Sequence, residues 1–166
     1  MPSSHLRSAK TSDARAIERV ARRSWHAAYD DFLGEGVVEE IVGKWYDREG
    51  LRDATREDGH VFVLAVKEGA VQGFAHAGPS AEHDGWSLFR IYVVPGRWGE
   101  GIGTALLERV EEELEARGVS TYELAVLAAN DVGVSFYEAR GFDRFDIEDV
   151  VLAGVETSQH WYRKTL

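Results

Sequence analysis

The 166-residue sequence has no cysteine, one methionine and three prolines. Without cysteine there is no disulfide, no thiolate nucleophile and no thiolate metal site, so sulfur says nothing about redox compartment. No apolar run approaches the roughly 18 residues that a membrane span requires, and the N-terminus lacks a signal-peptide core. A soluble, cytoplasmic protein with no membrane partner is expected. Lysine is scarce, at Lys10, Lys44, Lys67 and Lys164, and 29 acidic against 19 basic residues leave a formal net charge of -10. That balance argues against nucleic acid, which rewards a basic face. It favours a cationic substrate only weakly, since a solvated acidic surface accounts for it more simply. His5, His26, His60, His76, His83 and His160 show no compact ligand spacing, and no metal is expected.

What is present reads as one globular domain over residues 1–166, with 44% apolar and 29% charged residues. His5 to Ala9 reads as a strand. Thr11-Ser12-Asp13 offers helix caps, and Ala14, Ile17, Ala21, Trp25 and Ala28 recur at helical spacing in a helix running to about Tyr29. After Gly34 and Gly36, Val38, Ile41, Val42 and Trp45 stripe a second, shorter helix, and a polar stretch follows from Asp47 to Asp58. From His60 the period changes: His60 to Lys67 and Ala70 to Ala77 read as an antiparallel hairpin turning at Glu68-Gly69. A polar loop, Gly78 to Gly85, precedes an apolar strand ending at Val94. Thr121 to Leu127 reads as a further strand, parallel to it because a helix lies between them. Phe142 to Leu152 and Thr157 to Thr165 close the chain as a hairpin.

The segment Leu88 to Leu107, LFRIYVVPGRWGEGIGTALL, organises the rest. It passes from a β-branched strand through Pro95-Gly96 and Gly99, Gly101 and Gly103 into a helix striped by Ile102, Leu106, Leu107, Val110 and Leu114. A helix N-terminus has unpaired amides and a partial positive charge, so side-chain-free residues there admit a phosphate. A phosphorylated cofactor is the expected guest. The spacing G-x-G-x-G is not the dinucleotide fingerprint G-x-G-x-x-G, although Glu123 falls near the ribose-binding distance. No Gly-Lys-Ser/Thr follows, which excludes a P-loop.

Two motifs carry a family resemblance. IYVVPGRWGEGIGTALL and, from Asn130 to Phe142, NDVGVSFYEARGF together resemble the GNAT superfamily of N-acetyltransferases, and the order of elements agrees across the whole chain. The resemblance implies an α/β fold with a central mixed, mostly antiparallel sheet of about six to seven strands, flanked by helices and splayed at a parallel pair. It implies acetyl-CoA as cosubstrate, a small-molecule or peptide amine as acceptor, and a possible homodimer through the terminal strands. The amides of Trp98, Gly99, Glu100, Gly101, Ile102, Gly103 and Thr104 would cradle the pyrophosphate, with Arg97 beside them. Backbone groups around Tyr92, Val93 and Val94 would meet the pantetheine arm and acetyl carbonyl, Asn130 the arm, and Tyr137 the thioester sulfur. Trp98 stands where the family usually has Arg or Gln, and Ser87 where many members place a carboxylate base.

Acetyl transfer needs a neutral amine. Removing the proton of an amine with pKa about 10.4 at pH 7 costs roughly 4.6 kcal/mol, so a base or a water chain is required. Glu123 is the base candidate on a strand; His76, Glu82, His83 and Asp84 are others. Trp25 and Tyr29 read either as core aromatics or as acceptor contacts, with His83 and Asp84 as polar acceptor contacts. A non-catalytic acetyl-CoA sensor is the alternative, kept open by Ser87; Asn130 and Tyr137 favour an enzyme.

Overall fold

The computed structural model describes residues 5–80 and 83–166; Glu82, a base candidate, lies outside them. One seven-stranded sheet runs through the chain in the order β1-β2-β3-β4-β5-β7-β6. Its strands are β1 (His5–Ser8), β2 (Val61–Lys67), β3 (Ala70–Pro79), β4 (Trp86–Val93), β5 (Thr121–Leu127), β6 (Asp143–Leu152) and β7 (Val155–Thr165). Five helices flank it: α1 (Ala14–Leu33), α2 (Glu35–Trp45), α3 (Arg48–Arg56), α4 (Ile102–Ala116) and α5 (Asp131–Glu138).

The helices divide between the two faces of the sheet. Ile17, Val20, Ala21 and Trp25 of α1 and Val38, Ile41 and Val42 of α2 pack with Phe62, Leu64 and Phe74. On the other face the α4 stripe of Ile102, Leu106, Val110 and Leu114 packs with Val63, Ala75, Leu88, Tyr122 and Leu124. Burying each Val, Leu, Ile or Phe side chain among them contributes on the order of 1.5–3 kcal/mol.

The polar stretch after α2 folds into α3, which an apolar stripe does not announce. Leu51 alone is buried there, and the Asp47 carboxylate accepts the Gly50 N–H at 3.0 Å as a cap. Helix α1 continues past Tyr29 to Leu33, where Gly34 ends it, and Gly78, expected in the polar loop, belongs to β3, which runs to Pro79 before β4 begins at Trp86.

Every pairing in the sheet is antiparallel except β4 with β5, which is parallel and matched only at Trp86↔Tyr122 and Ser87↔Glu123. Beyond Ser87 the two strands part. β4 also carries a bulge: His76 pairs with Arg90 and Ala77 with Leu88, leaving Phe89 as the extra residue. Among the described residues no helix is long and apolar enough to cross a membrane. β6 is an edge strand with Phe145, Ile147 and Val151 exposed.

Helices α1 and α2 are joined by His26, whose Nδ1 meets Asp30 at 2.6 Å and whose Nε2 meets Glu39 at 2.9 Å, while Arg22 Nε donates to Glu39 at 3.1 Å. Partial burial opposes the imidazolium, but the hydrogen bonds to the two carboxylates outweigh it, and the His26 pKa is raised. A raised folded-state pKa stabilises fully below the unfolded value of about 6.5, and this stabilisation is lost as pH rises through the folded value. Urea unfolding of the wild type and His26→Gln should therefore differ more at about pH 6 than at about pH 8.5. A pH-independent difference would show that His26 only packs.

Candidate active site

The parting of β4 from β5 opens a cavity of about 1080 Å³ between the two helical layers. Its wall brings together α1 and α2 aromatics, the free edge of β4, the glycine loop with the first turn of α4, and α5. One end is made for an anion. Gly99 and Gly101 both adopt left-handed backbone (φ +83°), which turns the loop into the start of α4. The amides of Ile102, Gly103 and Thr104 sit in the first turn, where a helix provides no acceptor. Gly103 is needed for closeness as well: an added Cβ would lie 3.2 Å from the Phe136 ring of α5.

Several sequence candidates take other partners. Trp98 Nε1 donates to the Val93 carbonyl at 2.8 Å, so this side chain is tied to the end of β4. Arg97 pairs with Glu68 at 3.1 Å and Glu100 at 3.6 Å, and Glu100, which is not in the cavity wall, also takes Lys67 at 2.9 Å. The cation that reaches the helix start is Arg140, unremarked in the sequence. It donates to the Thr104 hydroxyl (2.6 and 3.1 Å) and the Phe136 carbonyl (2.9 Å), with its guanidinium carbon 3.7 Å from the Phe136 ring centre. Its signal was present in the i, i+4 spacing of Phe136 and Arg140 on a short helix.

The register of β3 and β4 decides which backbone amides face the gap. Val94 N–H donates to the Gln72 carbonyl at 2.9 Å, so Val94 and, two residues back, Tyr92 point their amides at β3, while Val93 and Ile91 point theirs away. The Val93 carbonyl accordingly takes the Ser24 hydroxyl at 3.0 Å. Of the expected group Tyr92, Val93 and Val94, only Val93 offers an amide to the gap; Ile91 joins it, and Tyr92 contributes its ring to the wall.

Asn130 caps α5, accepting the Gly133 N–H at 2.9 Å and donating to the Tyr29 hydroxyl at 3.0 Å. Tyr137 lines the cavity, and its hydroxyl has no hydrogen-bond partner among the described residues. Burial, followed by neighbouring Tyr29 and Tyr46, pushes its pKa up, so it stays a neutral donor. Burial raises Tyr29, Tyr46 and Tyr92 in the same direction. Trp25 and Tyr29 are both core and wall: they are 3% and 2% exposed, yet both border the cavity. Trp25 Nε1 donates to the Tyr46 hydroxyl at 3.2 Å.

Glu123, His83 and Asp84 are not in the cavity wall. Glu123 is buried where β4 and β5 still pair, hydrogen-bonded to His83 and 3.6 Å from Arg163. It shares β5 with the wall residues Ala125, Val126 and Leu127 but sits at the end where the sheet is still closed. His76 is buried on β3, and burial, then Arg90 and His60, lowers its pKa to about 3. Among the described residues no group of three or more His, Cys, Asp or Glu side chains could hold a metal.

Comparison with known proteins identifies the family and the fold. A crystal structure of PaiA N-acetyltransferase from Thermoplasma acidophilum, in complex with coenzyme A, superposes with a TM-score of 0.85 over 99% of each chain at 25% identity. The uncharacterized N-acetyltransferase YuaI of Bacillus subtilis is 31% identical over 93% of this chain and 88% of its own. Spermidine N(1)-acetyltransferase of Thermoplasma acidophilum is 28% identical over 82% of this chain and 86% of its own. The model of the acetyltransferase (GNAT) family matches residues 17–142, and the chain belongs to that family.

Proposed function

We propose that this acyltransferase moves the acetyl group of acetyl-CoA to a primary amine by direct attack within a ternary complex. The observation that carries the reading is the alignment, along one cavity, of a bare helix N-terminus, a free strand edge and a tyrosine hydroxyl with no partner among the described residues. Acetyl-CoA supplies an activated acyl carbon and a thiolate leaving group. The residues fit it from end to end. The first-turn amides of α4, with Arg140 beside them, suit a pyrophosphate. The gap-facing amides of Val93 and Ile91 suit the carbonyls of an extended arm lying along β4 as an added strand.

The Val93 or Ile91 N–H would polarise the thioester carbonyl as the amine nitrogen bonds to its carbon and the C–S bond breaks. Tyr137 would donate a hydrogen bond to the charge developing on sulfur. A thiol of pKa about 8.5 is a stronger acid than even an unshifted phenol of about 10, so outright proton transfer from a still weaker acid is uphill and donation is the role that remains. With Glu123 outside the wall, the ammonium proton would leave through water. The homodimer would form along β6, whose exposed Phe145, Ile147 and Val151 border the open edge of the sheet.

Gly101→Asp should abolish acetyl-CoA binding in calorimetric titration while the chain stays folded. An added Cβ there meets nothing within 4 Å, and Asp tolerates left-handed backbone and helix N-termini, yet its charge opposes the phosphate. Tyr137→Phe should lower kcat by about 10- to 100-fold and leave acetyl-CoA affinity within about twofold, as loss of one donor in the transition state requires. Unchanged turnover would return Tyr137 to a packing role. Glu123→Gln should leave the pH–rate profile unmoved; a displaced limb would restore Glu123 as the proton acceptor.

A further inference from the structure

Arg90 has no task in the reaction as described. It follows the Phe89 bulge on β4, and its side chain lies in the half of the cavity away from the glycine loop, 5.1 Å from the Tyr46 ring centre. Its Nη1 is buried without a hydrogen-bond partner, and among the described residues no carboxylate pairs with it. The other arginines of the wall, Arg97 and Arg140, have polar partners. Directly across the strand pair lies His76, whose Nε2 meets His60 Nδ1 at 2.9 Å and whose buried Nδ1 also has no partner.

A partly buried guanidinium without a counter-charge is costly, and its planar fork suits a carboxylate. The wall contains no such group nearby. In a chain with 29 acidic residues, Asp131 is the one carboxylate lining the cavity among the described residues, and it opens α5 at the other end. A polyamine entering past Trp25, Tyr46 and Tyr92 would meet phenols, indoles and a cation of its own sign. An amine that also carries an acid group would meet its complement.

We propose that Arg90 is a specificity residue that binds a carboxylate of the acceptor, so that the substrate is an amino acid or short peptide bearing a free carboxylate. This rests on the acetyl-transfer reading, and the acceptor's apolar part packs on the aromatic wall. Charge-assisted hydrogen bonding of this kind separates a carboxylate from its amide by about 10- to 100-fold.

The test begins with binding, independent of turnover. The full chain, saturated with coenzyme A, is titrated with phenylacetate and with phenylacetamide, following tryptophan fluorescence, to which Trp25 and Trp45 in the wall contribute. Phenylacetate should bind at least about tenfold tighter; Arg90→Gln should remove that advantage and Arg90→Lys retain part of it. Unchanged coenzyme A affinity in both variants shows that they fold. Equal affinity for the two probes, or an advantage undiminished in Arg90→Gln, overturns the proposal. Thiol release from acetyl-CoA is then measured with phenylalanine, phenylalaninamide and spermidine. The kcat/KM ratio of phenylalanine over phenylalaninamide should fall about tenfold or more in Arg90→Gln, mainly through KM. Preference of the wild type for spermidine over phenylalanine overturns the assignment. Selective carboxylate binding without thiol release on any amine would instead sink acetyl transfer and leave the Arg90 site standing.

Discussion

Two rungs of parallel pairing, at Trp86↔Tyr122 and Ser87↔Glu123, are all that join β4 to β5, and the functional architecture depends on their ending there. Backbone N–H and C=O groups need partners, and a strand interior to a sheet normally finds them on both sides. Past Ser87, β4 has β3 on one side and a cavity on the other. Partner groups must come from elsewhere: the Val93 carbonyl takes Ser24 and Trp98, and the amides of Val93 and Ile91 remain directed at the opening. A ligand with its own amides is the natural complement. Beside the opening α4 and α5 approach one another closely, Gly103 facing the Phe136 ring.

Charge is distributed to match. The chain as a whole has a formal net charge of -10, yet the cavity wall holds three arginines against Asp131, so the excess of acid lies outside it. Arg140 and the first-turn amides of α4 lie at one end, Arg90 lies toward the other, and buried phenols held neutral stand between them. Neutral phenols donate and accept hydrogen bonds without desolvating a charge, which lets an aromatic wall be polar where chemistry needs it. The acidity of the whole chain, which pointed weakly to a cationic substrate, therefore says little about the site.

Much of the fold was legible because periodicity and turn chemistry are local. The α4 stripe of Ile102, Leu106, Val110 and Leu114, the hairpin at Glu68-Gly69 and the Asn130 cap all follow from neighbours within a few residues. α3 was not legible, because a nine-residue helix with Leu51 as its one buried residue leaves no stripe to read. Trp25 and Tyr29 defeated the choice between core and cavity wall, for they are buried and border the cavity as well. Glu123 shares β5 with the wall residues Ala125, Val126 and Leu127, but strand membership does not tell how far along it a sheet has opened.

The sequence by itself determined the elements, their order and the glycine-bearing helix start, because backbone preference and hydrophobic period act over single turns and strand lengths. Only the tertiary structure decided which groups share the cavity. Register assigns the gap to the amides of Val93 and Ile91 instead of Val94; packing gives Arg140 rather than Trp98 to the helix start; and the splay leaves Glu123 behind while exposing Arg90. Each of these is a contact between residues distant in the chain, fixed by where strands pair and where they part, and no local pattern encodes it.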